Sequence, residues 1–248
     1  MTKTTDIKLI ALDMDGTLLK DDHTVSELNR QTIKRAQQAG VTVIISTGRP
    51  LIHCKEMVQS LALSSFLITV NGSEIWDSDL NLLERTTIDV KHIDQMYGMA
   101  LKYGTHYWSS TVGGVWNKHS SFPEKTDEHE WLKFGFDIED DKVRETIREE
   151  LGQNKALEIT NSSLTNIEVN AVGINKAVAI RKVCDQLGLT MDQVMAVGDS
   201  LNDLAMIKES GFGIAMGNAQ QKVKDAADWV TDSNQEDGVA KAILKYVF

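Results

Sequence analysis

The chain has 248 residues, 42% of them hydrophobic and 25% charged, which is enough for one large domain or two modest ones around a packed core. Its formal net charge of −10 argues against nucleic acid and anionic membrane as main partners, because both select a basic face. A phosphorylated small molecule stays open, since one local cation and one metal invert the field inside a cleft.

Cys54 and Cys184 belong to no metal or redox grouping, and no apolar run is long enough for a leader or a bilayer span. A cytoplasmic protein is expected, as a monomer or weak homo-oligomer. In chain order, KLIALD reads as an apolar strand that runs into the acids of DMDGT. SELNRQTIKRAQQAG follows as a helix capped by Ser26 and stopped by Gly40. VTVIIST is a second strand, PLIHCKEMVQSLAL a helix with Pro50 in its first turn, and FLITVNG a third strand. Strands apolar on both faces and separated by helices imply a parallel sheet covered on both sides.

From about Glu84 to Val172 the texture changes and aromatic residues gather. TVGGVW carries the Gly-Gly signature of a tight hairpin, DKVRETIREEL reads as an amphipathic helix, and LEITNSSLTNIEVN as paired strands. The βα rhythm returns with KAVAIRKVCDQLG, QVMAVGD, LNDLAMIKESG and FGIAM, and QKVKDAADWV and DGVAKAILKYVF finish the chain. The expected fold class is α/β: a Rossmann-like doubly wound parallel sheet from residues 1–83 and 173–248, interrupted by an inserted α+β segment at 84–172.

Four short motifs fall at strand ends. In DMDGT, residues i and i+2 of a strand point the same way, so Asp13 and Asp15 address one site. An ionised carboxylate is a ready nucleophile, and a neighbouring carboxyl can act as acid and base. Taken alone, the motif is also compatible with a capped turn. STGRP at 46–50 closes the next strand, where Thr47 and the Gly48 amide can donate to a phosphate oxygen; it is equally an ordinary helix start. Lys176 opens a helix, where a cation opposes the helix dipole, which suggests an anion nearby, although a solvated lysine has the same sequence. GDSLND at 198–203 offers Asp199, Asn202 and Asp203 beside a strand that should neighbour Asp13, with Ser200 as a simple helix cap. Their shared placement favours one site: acids for Mg²⁺, and a lysine, a hydroxyl and amides for a phosphate dianion.

These motifs resemble those of the haloacid dehalogenase superfamily of phosphohydrolases, in its Cof-type branch with a large α/β cap, and fall in that family's order along the whole chain. The resemblance implies a Mg²⁺-dependent phosphatase acting on a small phosphorylated metabolite. Asp13 would be the nucleophile that forms an aspartyl phosphate, and Asp15 the acid and then the base. Mg²⁺ would be held by Asp13, the Asp15 carbonyl and Asp199, with Asp203 one step behind. Phosphate would be held by the Met14 amide, Thr47, Gly48, Lys176 and Asn202. Ala177 follows Lys176 where the family commonly has glycine. The insert would be the cap that reads the leaving group. Most of its aromatic rings are expected to form its own core, with Trp108 or Trp116 as candidates to stack on a ring-bearing substrate. Arg49 is a candidate either for contact near the phosphate or for a structural salt bridge. None of the six histidines is given a role. A phosphomutase or phosphotransferase would use the same intermediate, and a non-enzymatic phosphometabolite sensor would keep the fold without the chemistry.

Overall fold

The computed structural model describes residues 6–63, 65–117 and 119–248. The first part comprises β1 (Leu9–Leu12), α1 (Glu27–Gln38), β2 (Thr42–Ser46), α2 (Lys55–Ser60), β3 (Leu67–Thr69), β4 (Glu74–Trp76) and β5 (Leu82–Arg85). Then come α3 (Val90–Tyr103), β6 (His106–Thr111), β7 (Gly114–Asn117), β8 (Trp131–Asp137), α4 (Asp141–Gly152), β9 (Leu157–Thr160) and β10 (Asn166–Ala171). The last part holds α5 (Lys176–Leu187), β11 (Val194–Gly198), α6 (Leu204–Glu209), β12 (Phe212–Ala215), α7 (Gln221–Ala226), β13 (Trp229–Val230) and α8 (Gly238–Tyr246).

The large sheet runs β13-β12-β11-β1-β2-β3-β4-β5. Its central strand, β1, is buried throughout, with Leu9–Leu12 in parallel register to Thr42–Ile45 on one side and Val194–Val197 on the other. Its unbroken apolar run matches its position between two cores. Ile10 and Leu12 pack with Ile33 of α1 and Ile243 of α8, while Leu9 and Ala11 pack with Ile180 and Val183 of α5. Chain order reverses at β1, since early strands build one way and late strands the other. Open α/β sheets hold ligands at the carboxyl ends of strands at such a switch point. Asp13 and Asp199 stand at this point, immediately after β1 and β11.

The sheet is doubly wound as the sequence suggests, but it is mixed rather than purely parallel. β4 and β5 add an antiparallel edge hairpin, built from segments of three and four residues, too short for a periodic signal. The helix expected over PLIHCKEMVQSLAL splits into a 3₁₀ turn at Leu51–His53 and α2, with Cys54 at φ −128° between them.

The second sheet, β7-β6-β8-β10-β9, is antiparallel throughout and its strands lie within residues 106–171. Strand alternation divides its two faces. Tyr107, Phe134, Phe136, Ile167 and Val169 point into a core with Ile93 and Met96 of α3 and Ile147 and Leu151 of α4. The opposite face carries Trp108, Lys133, Gly135 and Glu168 and looks toward the acidic end of the large sheet. Among the described residues, no helix is long and apolar enough to cross a membrane.

Candidate active site

Lys176 is the first residue of α5, whose start is fixed by the Asn175 side chain accepting from the Val178 amide at 3.0 Å. The lysine is fully buried, with its ammonium 2.5 Å from Asp13 Oδ1 and 2.6 Å from Asp203 Oδ1. The other Asp203 oxygen accepts from the Asp199 amide at 2.9 Å and the Ser200 amide at 3.0 Å. Asp199 accepts the Thr17 hydroxyl at 2.9 Å and lies 2.7 Å from the Ser200 hydroxyl. Gly16 makes this approach possible. Its φ is +78°, and a Cβ there would stand 2.7 Å from Asp199 Oδ2.

Carboxylate oxygens of Asp13, Asp199 and Asp203 lie within 4.8 Å of one another. Three carboxylates against one ammonium leave two negative charges uncompensated in a buried place. Burial, and then Asp203, raise the Asp13 carboxyl well above its ordinary range, with Lys176 opposing them. Burial and Asp203 push Asp199 up to about 6. Burial works against the Lys176 ammonium, but Asp13 and Asp203 outweigh it and raise its pKa. An all-oxygen donor set with this charge fits a hard divalent cation. Asp203 is fully buried against the Lys176 ammonium and two backbone amides, whereas Asp13 and Asp199 face the open space beside the cluster.

Beside this cluster, Arg49 grips Asp15 with both arms of its guanidinium, Nε to Oδ2 at 2.7 Å and a terminal nitrogen to Oδ1 at 2.5 Å. The pairing with Asp15 raises the Arg49 pKa against the effect of burial. Thr47 is buried and its hydroxyl accepts from the Arg49 amide at 3.1 Å. Asn202 donates to Asn71 Oδ1 at 3.3 Å, while its own carbonyl oxygen is buried without a hydrogen-bond partner among the described residues.

A cavity of about 290 Å³ lies between the two sheets. Asp13, Asp15, Gly48, Asp199 and Asn202 line it, whereas Met14, Thr47, Lys176 and Asp203 are buried behind its wall. Lys176 is therefore not the solvated lysine that its sequence context also allowed. Of the two tryptophans expected near substrate, Trp108 lines the cavity; Trp116 sits on the aromatic-core side, edge-on to His129 at 5.4 Å between centroids. Arg49 and the exposed His53 also line it.

Sequence reasoning missed Asn71, Lys133 and Glu168. Asn71, at φ 58°, donates to Glu168 Oε2 at 2.6 Å. Lys133 donates to the Gly48 carbonyl at 2.7 Å and to Glu168 at 3.2 Å. Both members of this ion pair are buried. Burial lowers the Lys133 pKa despite Glu168. Burial opposes the Glu168 charge, but Lys133, Ser162 and Asn71 together hold its carboxyl below the usual range. For the ion pair the sequence signal was one interior charge in each of two strands, Lys133 in WLKFGFD and Glu168 in NIEVNA, on the face that alternates with the apolar one.

The same order of segments recurs in known proteins. A family model described as haloacid dehalogenase-like hydrolase matches residues 10–148 and 121–243. The chain is 61% identical over 242 residues to the 5-amino-6-(5-phospho-D-ribitylamino)uracil phosphatase YcsE of Bacillus subtilis (strain 168), covering 98% of this chain and 96% of that one. It is 31% identical over 243 residues to the HMP-PP phosphatase of Cronobacter sakazakii (strain ATCC BAA-894), covering 87% and 86%. A solved haloacid dehalogenase-like hydrolase from B. subtilis superimposes with a TM-score of 0.88 at 26% identity, over 98% of this chain and all of that one. The chain belongs to the haloacid dehalogenase-like hydrolases.

Proposed function

We propose that the protein is a Mg²⁺-dependent phosphomonoesterase that cleaves 5-amino-6-(5-phospho-D-ribitylamino)uracil through an aspartyl phosphate on Asp13. The observation that carries this reading is the Asp13–Lys176–Asp203 contact with Asp199 alongside, at the edge of a cavity between the two sheets. The substrate is the one named for the relative at 61% identity. In this reading residues 84–172 are the cap on a core of residues 1–83 and 173–248.

Asp13 attacks phosphorus as the bond to the leaving alcohol breaks, and Asp15 gives that oxygen its proton. Asp15 then takes a proton from water, which attacks the Asp13 acyl phosphate and releases inorganic phosphate. To carry a proton, Asp15 must give up one of its two Arg49 bonds, so Arg49 turns toward the phosphate as the ester enters. The Met14 and Gly48 amides, Thr47, Lys176 and Asn202 hold the phosphoryl oxygens. Asp13, Asp199 and the Asp15 carbonyl, with Asp203 behind them, would hold Mg²⁺, which when bound would supply positive charge against the dianion.

The test is phosphate release from this ester and from a panel of sugar phosphates, with Mg²⁺ or with chelator. Release that needs Mg²⁺, and that falls by at least about 10³-fold in Asp13→Asn, is the expected result. Transfer of the phosphoryl group to an added alcohol with no free phosphate would make the enzyme a phosphotransferase. An Asp13→Asn variant at the wild-type rate would remove the nucleophile assignment.

A further inference from the structure

The sheet face that roofs the cavity carries a buried ion pair that no packing need explains. Trp108, Gly135 and Glu168 are register partners across β6, β8 and β10, and Ser110 and Lys133 form the next row. Gly135 lets the indole lie flat on the sheet, for a Cβ there would stand 2.2 Å from the Trp108 ring. The Lys133 ammonium sits 4.7 Å from the centroid of that ring. Glu168 is itself fixed by the Ser162 hydroxyl and the Asn71 amide, each at 2.6 Å.

A buried ion pair contributes little net stability compared with an apolar pair of the same volume, so stability does not account for its place. Both residues line the cavity that Asp13 and Asp15 line, and the ammonium reaches the Gly48 carbonyl. Among the described residues two protein oxygens accept from Lys133, and an ammonium carries three protons. A desolvated N–H in a small cavity beside an aromatic surface suits an oxygen acceptor on an otherwise carbon-rich group.

Resting on the phosphatase reading above, we propose that Lys133, oriented by Glu168, is the specificity contact for the alcohol half of the ester. Its third N–H binds a hydroxyl of the leaving group, and Trp108 forms the apolar wall beside it. The enzyme therefore prefers polyhydroxylated alkyl phosphates to esters whose leaving group offers no such oxygen.

The test compares ribitol 5-phosphate with phenyl phosphate in the full chain with Mg²⁺, using wild type, Lys133→Met and Lys133→Met/Glu168→Gln. The double variant leaves no unpaired buried carboxylate, so it separates lost recognition from misfolding, which circular dichroism checks. The expected result is a fall in kcat/KM for ribitol 5-phosphate of about 10- to 100-fold, the size of one charged hydrogen bond. The fall for phenyl phosphate should be at least about tenfold smaller. In the wild type, ribitol should inhibit competitively and phenol should not, a readout independent of any variant. Equal losses for both esters, or equal inhibition by both alcohols, would overturn the assignment while leaving an active phosphatase. A wild type that frees phosphate from neither these esters nor the ribitylamino-uracil phosphate would overturn the hydrolase reading and this inference with it.

Discussion

A lysine at the first position of a helix meets two penalties, loss of water and the positive end of the helix dipole. Lys176 offsets both with Asp13 and Asp203, and this explains why an apparently ill-placed residue is worth its position. Gly16 is tied to its position from the opposite direction, by what it lacks. Gly16→Ala forces a side chain into positive φ and against the Asp199 carboxylate. It should destabilise the protein by more than about 1 kcal/mol in denaturant titration and slow phosphate release. At this scale the sequence was legible where a residue type has few uses: paired acids before a glycine, and a lysine at a helix start. It was illegible where meaning comes from a distant partner. STGR leaves Arg49 open to a salt bridge but does not name Asp15 as its partner, and Trp108 differs from Trp116 only by the face its strand presents.

Among the elements, α1 and α5 start alike, with a side chain at the cap accepting from the third residue on, but only α5 begins at the site. Ser26→Ala and Asn175→Ala should each cost about 1 kcal/mol of stability. Only Asn175→Ala should also lower kcat, because fraying the first turn loosens Lys176; equal kcat in both would mean that the helix start does not position the lysine. The βα segments were readable because long buried strands and amphipathic helices repeat their pattern over many residues. β4 and β5 were not, being too short to show a period. The polar roof of the cavity was hidden for another reason: alternation within β8 and β10 is visible, but which face meets the acids depends on how the second sheet docks.

For the whole molecule, the uncompensated charge at the acidic cluster links stability to pH and to metal. Asp199 keeps its proton up to about 6 in the folded chain, against an ordinary value of 3.8. Between those values the folded state binds more protons than the unfolded one, so this group's contribution to stability declines as pH rises through that window. Asp13 shifts in the same direction. Metal-free protein should therefore gain less, or lose more, stability from pH 4 to 7 than Asp199→Asn does. Millimolar Mg²⁺ should raise the melting temperature of the wild type at pH 7 and that of the variant far less. Identical pH and Mg²⁺ responses of the two proteins in thermal melts would contradict this.

The position of β1 also has a cost during synthesis. The strand is made long before β11, yet one of its edges is completed only by Val194–Val197. At about 5–20 residues per second, a ribosome takes roughly 10–40 s to supply that neighbour. Throughout that interval an apolar strand has a bare hydrogen-bonding margin that a neighbouring nascent chain can pair with. Chains cut anywhere between β1 and β11 thus keep that edge bare and are prone to clumping.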